Sequence, residues 1–306
     1  MGCGFASANH HQRRRVVPSL WHSIYSWDMA VLGSVLIDGE AIAASDAAIS
    51  VFDIGFQRGY GCFEAMRAYD GTIFRLDAHL ARLEMSATKL RLPVSDRSTI
   101  AGWCRSVARA AGDSVVRVFI SGGTDARHLG TNAKTVVFAD SVNPDSSPMH
   151  LQVRTAPWHS DGDWFELTGA KALSYGFNLA ASVAAQQDGF DDALLVGRGA
   201  HVLEGPTFSI AWMTDGILHT PELGLGILES ITRTAVIEVA ERIGMDVRQG
   251  TYGVGAVTAA DEVIAMSTVR QVLPVVRIDA TGFSPGSGTH ALQLGFAEIV
   301  REELGA

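Results

Sequence analysis

The stretch Cys62-Phe-Glu-Ala-Met-Arg-Ala-Tyr69 leads through Asp70-Gly71 into Thr72-Ile-Phe-Arg75, and this succession decides the start of the fold. Alternation in the first segment predicts a β-strand, and Asp-Gly between two strand-like segments is a strong hairpin signal. Apolar residues then recur at steps of four and three, which predicts an amphipathic helix that ends before Pro93. The residues of this stripe are Leu76, Leu80, Leu83, Ala87 and Leu90.

Further strands and helices are predicted on both sides of this unit. The strand-like segments are 34–38, 48–52, 72–75, 115–120, 135–139, 150–155, 193–196, 208–213 and 262–266. The helical segments are 98–111, 178–187, 231–243 and 289–304. Two prolines in the polar stretch Asn143–Pro148 mark a linker. We therefore expect an α/β chain divided into an N-terminal extension (1–28), a small α/β domain (29–142), an interdomain linker (143–149) and a large domain (150–306).

The composition excludes several classes of protein. The chain has 306 residues and a net charge of −9, whereas a nucleic-acid-binding surface should be basic. Its three widely spaced cysteines signal neither a disulfide framework nor a cysteine-built zinc site. No apolar run reaches the ~20 residues that span a bilayer, and the N-terminal stretch lacks the apolar core of a signal peptide. We expect a cytoplasmic protein with no nucleic-acid or membrane partner.

The chain has only three lysines, Lys89, Lys134 and Lys171, so a nucleophilic amine can be sought by elimination. Lys89 lies on the predicted helix and Lys134 in a polar loop. Lys171 lies in Thr168-Gly-Ala-Lys-Ala-Leu-Ser-Tyr-Gly-Phe-Asn178, an apolar stretch rich in small residues. A lysine desolvated there would have a lowered pKa and a free amine. The alternative is a lysine that extends its ammonium group into water.

A carboxylate and a possible anion site lie farther along the chain. Glu204 follows an apolar pair and precedes a Gly-Pro turn; it is either a solvated residue between strands or a partner for a buried ligand. Ser230 is the predicted N-cap of a helix, whose free N–H groups can bind a phosphate. Ser267 and Thr268 end an apolar strand and either cap it or add hydroxyls to the same anion.

Together these segments resemble the class IV aminotransferases, the fold-type IV pyridoxal-phosphate enzymes that include branched-chain and D-amino-acid aminotransferases. Tyr60-Gly-Cys-Phe-Glu-Ala-Met-Arg67 is similar to the family segment yGxxFExxR, and Arg75–Ala87 to the helix eHlxRLxxSA. Three further matches follow in family order. They are Leu203-Glu-Gly205, Glu229-Ser-Ile-Thr-Arg233 and Ser267-Thr-Val-Arg-Gln-Val-Leu-Pro-Val275. The resemblance extends from about Val31 to Leu304.

The resemblance implies a fold, a cofactor and a set of roles. The fold would have a small N-terminal α/β domain and a larger β-barrel-like α/β domain, in a homodimer. Lys171 would carry pyridoxal 5'-phosphate as a Schiff base and shuttle a proton. Glu204 would pair with the ring nitrogen, which makes the ring an electron sink, and Arg82 would bind the phosphate. The other implied cofactor-binding residues are Tyr175, Ile231, Thr232, Ser267 and Thr268.

The same resemblance implies a substrate pocket. Arg127 is similar to an arginine that binds the substrate carboxylate in D-amino-acid aminotransferases, but Leu129 stands where that group has a histidine. The preference for L-amino acids, D-amino acids or amines therefore stays open. The implied pocket residues are Phe63, Ala65, Arg67, Arg127, Val269 and Arg270.

Other functions compete with amino transfer between an amino acid or amine and a 2-keto acid. Aminodeoxychorismate lyases share the fold and lysine but catalyse an elimination. Gly282-Phe-Ser-Pro-Gly286 matches the serine hydrolase pattern around Ser284. Its next residue, Pro285, has no N–H for an oxyanion, which counts against that function. A non-catalytic homologue is disfavoured by the complete set of lysine, glutamate and arginine.

Overall fold

The computed structural model describes residues 30–142, 146–160, 162 and 165–305. The predicted extension (1–28) lies outside the described residues, as do residues 143–145 of the predicted linker. The strand after the linker begins at Met149, one residue before the predicted domain boundary. The division into domains remains a prediction.

The first half folds into a six-stranded antiparallel sheet in the order β2-β1-β6-β5-β3-β4. Its strands are β1 (Val31–Ile37), β2 (Glu40–Ile42), β3 (Gly61–Tyr69), β4 (Thr72–Ile73), β5 (Ser114–Ser121) and β6 (Thr135–Ser141). The helices are α1 (Ile54–Arg58), α2 (Leu76–Lys89) and α3 (Arg97–Ala111). The predicted hairpin and following helix are present as β3, β4 and α2.

The two faces of this first sheet differ in character. The apolar stripe of α2 and one face of α3 pack on the even-numbered side chains of β3, forming a core with Met66, Leu83 and Cys104 fully buried. The opposite face carries three stacked rings, Phe63, Phe119 and Phe138, with centroids 5.7 and 5.8 Å apart. Because strand side chains alternate between faces, Ala65 and Arg67 lie on the same face as Phe63.

The second half forms an eight-stranded mixed sheet in the order β11-β10-β9-β12-β13-β7-β8, with β14 paired to β13. Its strands are β7 (Met149–Thr155), β8 (Asp192–Val196), β9 (Ser209–Thr214), β10 (Ile217–Pro221), β11 (Val247–Gly250), β12 (Glu262–Ser267), β13 (Gln271–Ile278) and β14 (Thr281–Gly282). The helices are α4 (Gly176–Gln187), α5 (Ile231–Arg242), α6 (Val254–Thr258) and α7 (Ser287–Leu304).

Bridges at the ends of this second sheet give it the barrel-like form that the resemblance implied. Val202 pairs with Val196 at the end of β8, and His201 pairs with Gly253, just beyond β11. The Val202 N–H also donates to the Tyr252 carbonyl at 2.8 Å. The segment after β8 therefore connects the first strand of the sheet to the last. Helices α5 and α7 cover one face through Val239 and Phe296.

One predicted strand is wrong. Residues 48–52 form irregular chain and a turn, and they pair with no strand among the described residues. Their apolar side chains are largely exposed: Val51 is 63% and Phe52 69% accessible. The β-branched and aromatic residues that suggested a strand therefore lie at the surface, because no neighbouring strand is available to form hydrogen bonds with this backbone.

The two halves are joined by polar contacts as well as by apolar packing. The Arg75 guanidinium at the start of α2 binds the Glu238 carboxylate on α5 and the Glu303 carboxylate on α7. The Gln271 side chain donates to the Tyr69 hydroxyl at 2.9 Å, joining β13 to β3. These contacts place α2 of the first half against α5 of the second.

Candidate active site

Lys171 lies where the second half of the chain adds to the edge of the first sheet. Its carbonyl accepts from the Phe63 N–H at 3.0 Å, and the Leu173 N–H donates to the Gly61 carbonyl at 2.9 Å. Cys62 and Ala172 form an antiparallel bridge between these contacts. The Lys171 amine lies 4.4 Å from the centroid of the Phe63 ring and 5.6 Å from that of Tyr175. The Lys171 side chain therefore lies against two aromatic rings, as expected for a desolvated lysine and not for one that extends its ammonium group into water.

The Lys171 amine has the electrostatic properties of a nucleophile. Burial lowers the pKa of Lys171 from 10.5 to about 8. The positive charges of Arg82 and Arg117 lower this pKa further, whereas the negative charges of Glu64 and Glu204 oppose the shift. The neutral amine is therefore far more abundant at neutral pH than in an exposed lysine.

Glu204 lines the same cavity as Lys171. Burial raises the pKa of Glu204 to about 7, against the lowering effect of the Leu228 N–H and of the nearby cations. The Leu228 N–H donates to one carboxylate oxygen at 3.2 Å. Within the described residues the other oxygen has no hydrogen-bond partner. The carboxylate therefore faces a ligand space and does not stand as a solvated residue between strands.

Arg82 occupies the junction between α2 and α5. Its Nε and Nη2 bind the two oxygens of Glu64 at 2.7 and 2.8 Å, and Nη1 donates to the Glu229 carbonyl at 2.6 Å. His79 Nδ1 lies 2.8 Å from the same carboxylate. Burial would raise the pKa of Glu64, but the charge and hydrogen bonds of Arg82 dominate and hold that pKa at about 2. Arg82 is thus fixed next to the start of α5.

The start of α5 has the properties of an anion site. Ser230 is its N-cap and accepts the Arg233 N–H at 3.2 Å. Ile231 and Thr232 are the first two residues of the helix, and Thr232 is buried. The Arg233 side chain turns away to Thr220, Pro221 and Gln249. Arg82 is therefore the guanidinium that lies at this terminus, and its role in binding a phosphate there stays a prediction.

Ser267 and Thr268 lie at the end of β12 and in the turn after it. The Ser267 hydroxyl accepts the Arg270 N–H at 3.2 Å within that turn. This contact caps the end of the strand, which was one of the two roles that the sequence allowed for Ser267 and Thr268. A role of Ser267 and Thr268 in phosphate binding stays a prediction.

A cavity of about 190 Å³ opens beside Lys171. Of the predicted site residues, it brings together Lys171, Tyr175 and Glu204. Tyr175 precedes α4, and its ring meets that of Phe63 edge-on with centroids 5.4 Å apart. The lining residues are Trp158, His159, Ser160, Phe165, Leu167, Thr168, Gly169, Ala170, Lys171, Ala172, Ser174, Tyr175, Asn178, Glu204, Gly226 and Leu228.

Two arginines predicted for the substrate pocket are used elsewhere. Arg67 is 8% exposed, donates to the Ala68 and Ser114 carbonyls at 2.5 and 3.1 Å, and stacks over the Tyr69 ring. Arg270 points to Met149, with its Nη1 3.5 Å from the sulfur. Their guanidinium groups thus contact backbone carbonyls and a thioether at the ends of strands, and their assignment to the substrate pocket stays a prediction.

The other predicted pocket residues have mixed positions. Phe63 contacts Lys171 directly, and Ala65 follows it on the same face of β3. Val269 lies in the turn that joins β12 to β13 and does not line the cavity. Arg127 is exposed in the loop between β5 and β6, where its N–H donates to the Asp125 carboxylate. This chain alone does not bring Arg127 to Lys171.

Sequence reasoning missed three charged or titratable groups near Lys171. Glu64 and His79 were part of matched motifs but received no role, although both are buried. Arg117 lies opposite Ala65 on the Phe63 face and is paired with Asp140. The available signal was alternation: Glu64 stands between Cys62 and Met66 on the helix-facing side of β3, where an unpaired carboxylate would be costly.

The serine hydrolase interpretation finds no structural support. Ser284 is exposed in the turn between β14 and α7. Among the described residues its hydroxyl has no histidine partner, and the next residue is Pro285. Two other kinds of site are absent from the described residues. None of these residues form a cluster of histidine, cysteine and acidic side chains that could hold a metal ion. None of the helices they form is both long enough and apolar enough to cross a bilayer.

Comparison with known proteins identifies what this chain is similar to. A family model described as amino-transferase class IV matches residues 61–278. The aminodeoxychorismate lyase of Bacillus subtilis (strain 168) is 28% identical over 282 residues, 87% of this chain and 94% of that protein. A D-alanine aminotransferase of Listeria innocua is 27% identical over 82% of this chain and 90% of its own length. A branched-chain aminotransferase from Thermoproteus uzoniensis, solved with norvaline, superposes with a TM-score of 0.81 at 26% identity, covering 89% of this chain and 95% of that one.

Proposed function

The chain belongs to the class IV aminotransferases, and on that basis we propose that it transfers an amino group between an amino acid or amine and a 2-keto acid. The reaction would be of the ping-pong type, in which the first keto acid leaves before the second binds. The observation that carries this proposal is the Lys171 amine. It is half-buried over an aromatic ring, has a pKa of about 8, and shares a cavity with a carboxylate.

The cofactor of this family is pyridoxal 5'-phosphate, and the residues present fit it. Lys171 would hold its aldehyde carbon, Glu204 its ring nitrogen, and Arg82 with the start of α5 its phosphate. These groups are an amine, a carboxylate and a guanidinium at a helix N-terminus, which match the three polar parts of the cofactor. The buried Thr168 hydroxyl, on a residue that lines the cavity, has no hydrogen-bond partner in the described chain and is available to a bound molecule.

Each of these side chains would have a distinct task. Bound pyridoxal phosphate supplies a carbonyl that joins the substrate amine and a ring that accepts electrons from Cα. The Lys171 amine would take the proton from Cα and deliver it to the cofactor carbon that is joined to the substrate nitrogen, since a group with a pKa near 8 both accepts and releases protons near neutrality. Glu204 would keep a proton on the ring nitrogen.

The substrate would lie on the Phe63 face of the first sheet. Phe63 and Ala65 would form an apolar wall. Because the Arg67 and Arg270 guanidinium groups are engaged elsewhere, Arg127 remains the proposed partner for a substrate carboxylate. It is exposed within this chain, so it would act in the site of a second copy.

We expect a homodimer. Phe52, Phe56 and Phe177 are 69, 74 and 65% exposed, an unusual display of aromatic surface for a monomer. The segments that carry them meet where the Ser174 hydroxyl donates to the Gly59 carbonyl at 2.8 Å, beside the cavity. A second copy covering this surface would also be placed to contribute Arg127. Sedimentation equilibrium at several concentrations tests the expectation, and a monomer at all of them would contradict it.

We place the protein in the cytoplasm. Cys62 and Cys104 are free thiols buried in the core of the first half, and burial raises the pKa of each to about 12. Protonated, inaccessible thiols suit a compartment that keeps cysteines reduced. Fractionation of the native cells would test this placement.

An aminodeoxychorismate lyase activity is the second candidate, because the lyase of Bacillus subtilis is similar over 94% of its length. A lyase would release pyruvate from aminodeoxychorismate with no keto acid present. A transaminase would need a keto-acid acceptor for each further turnover. Measuring pyruvate with and without 2-oxoglutarate therefore distinguishes the two.

The amino-transfer proposal is tested by a half-reaction screen. The purified holoenzyme is mixed with L-amino acids, D-amino acids and (R)-amines one at a time, and the visible absorption band of the bound cofactor is followed. Decay with one class of donor, and its return on adding a keto acid, is the expected result. A protein that binds no pyridoxal phosphate, or whose band responds to no donor, would refute the proposal.

A further inference from the structure

One stripe of α2 contacts the segment that carries the reactive amine. Arg82, Ser86 and Lys89 follow at spacings of four and three residues, which places them on the same side of the helix. We propose that Ser86 and Lys89 are positioning residues that fix the backbone of Lys171, and with it the amine. This inference rests on the proposed function, in which Lys171 holds the cofactor.

The Ser86 hydroxyl ties the reactive lysine to the helix. It lies 2.8 Å from the Arg82 carbonyl and 3.0 Å from the Lys171 backbone nitrogen, and the residue is fully buried. A hydroxyl has one proton to donate and lone pairs that accept. Since the Arg82 carbonyl can only accept, the proton goes to that carbonyl and the oxygen accepts the Lys171 N–H. The direction of the lysine peptide is therefore set by α2.

The opposite side of the lysine residue is held by the sheet. The Lys171 carbonyl accepts the Phe63 N–H at 3.0 Å, while its N–H points to Ser86. With both backbone groups bound to different elements, rotation of this residue would break at least one buried hydrogen bond. The starting point of the long, flexible side chain is thereby fixed.

Lys89 holds the turn that precedes Lys171. Its ammonium donates to the Thr168 carbonyl at 2.5 Å. The turn itself is tight: the Thr168 N–H bonds to the Phe165 carbonyl, and Gly169 has a φ of +74°. Sequence reasoning treated Lys89 as an ordinary helix lysine, but its ammonium group binds the carbonyl of Thr168, three residues before Lys171.

The arrangement has a geometric consequence. Arg82 stands at the start of α5 and Lys89 at the lysine turn, so the same helix holds both ends of the cofactor site. Seven residues of α-helix span roughly 10 Å. The separation of the phosphate site from the amine is therefore set by a rigid element of the first half, although Lys171 and α5 both belong to the second.

The test uses the apoenzyme and measures the rate at which Lys171 captures pyridoxal phosphate covalently. Capture is followed by absorbance, and its position is fixed by borohydride reduction and peptide mapping. The variants are Ser86→Ala, Lys89→Met and the conservative Lys89→Arg. Lys134→Met is the matched control, because the Lys134 ammonium pairs with Asp38 at the surface and does not line the cavity beside Lys171. We expect about tenfold slower capture in S86A and K89M, substantial recovery in K89R and a wild-type rate in K134M.

The outcomes separate this inference from the proposed function. A pyridoxyl label on a residue other than Lys171 in the wild type would sink the proposed function. A label on Lys171 with wild-type capture rates in folded S86A and K89M would overturn the inference alone. If S86A does not fold, K89M decides, because Lys89 is only half-buried.

A pH profile distinguishes positioning from simple stabilisation. The capture rate of the wild type should rise with a midpoint near 8, where the pKa of Lys171 lies. In K89M the displaced amine regains water, so we expect the midpoint to move upward as the rate falls. A lower melting temperature with rate and midpoint unchanged would show that Lys89 only stabilises the turn, and would overturn the inference.

Discussion

Replacing Glu64 by glutamine should cost the protein about 3 kcal/mol of stability at pH 7. Burial raises the pKa of Glu64, but Arg82 and His79 together hold it at about 2, against 4.5 for a free carboxyl. At 1.36 kcal/mol for each pH unit, that difference is worth about 3 kcal/mol. The glutamine leaves the Arg82 guanidinium buried without a counter-charge, and breaking such pairs typically costs 3–5 kcal/mol.

The sign of the effect gives a second, independent test. A carboxyl whose pKa is depressed in the folded state adds stability above its unfolded pKa and loses it as pH falls through the folded value. The advantage of the wild type over E64Q should therefore be full at pH 7 and decline between pH 4.5 and 2. At pH 3.5 about 2 kcal/mol of it should remain.

Urea unfolding of the apoenzyme at pH 7 and 3.5 measures both quantities. Glu84→Gln is the matched control: Glu84 lies on the same helix and pairs with Arg97, but both side chains are partly exposed. We expect little change in that variant. The reasoning would be refuted if the free energy of unfolding of E64Q at pH 7 lay within about 1 kcal/mol of the wild-type value. It would also be refuted if the difference between the two proteins did not decrease at pH 3.5.

Three further predictions concern the reaction. Lys171→Met should abolish the pyridoxyl label after borohydride treatment, and a label retained elsewhere would show that another amine carries the cofactor. The rate of covalent capture by the wild type should rise with pH to a midpoint near 8, because burial lowers the pKa of Lys171 and the neutral amine prevails above it; a midpoint near 10.5 would indicate an exposed lysine. Glu204→Gln should slow amino transfer about 10- to 100-fold while the label on Lys171 persists, and an unchanged turnover number would exclude the proposed role of this carboxylate.

Much of the first half could be predicted because its signals are local. The Asp70-Gly71 turn and the apolar stripe of α2 depend on residues close in sequence, and β3, β4 and α2 form as expected. Residues 48–52 failed for the converse reason. A β-rich segment becomes a strand only if another strand is available to pair with it, and this depends on tertiary structure.

The chemistry of Lys171 was partly accessible from the sequence. Its apolar surroundings indicated desolvation, which the structure shows as a lowered pKa. The residues that hold it in place, Ser86 and Lys89, lie more than 80 residues earlier, and nothing in a single sequence joins them to it. The addition of residues 171–173 to β3 brings the two segments together.

The contacts of the arginines could not be predicted from the sequence. Arg82, Arg67 and Arg270 all stood in matched motifs; Arg82 lies at the start of α5, whereas Arg67 and Arg270 contact groups at the ends of strands. A guanidinium offers five donors on a long side chain, so its destination depends on which carbonyls and carboxylates lie within reach. For Arg67 these are the carbonyls of Ala68 near the end of β3 and of Ser114 at the start of β5.

The attachment of residues 171–173 to the start of β3 has a consequence for biosynthesis. As the chain leaves the ribosome, the first sheet can form with the edge at Gly61–Phe63 still uncovered, since β4 pairs only with the far end of that strand. Unsatisfied strand edges invite pairing with other chains. This nascent protein is therefore expected to be most prone to aggregate, and most in need of a chaperone, in the interval before Lys171 emerges.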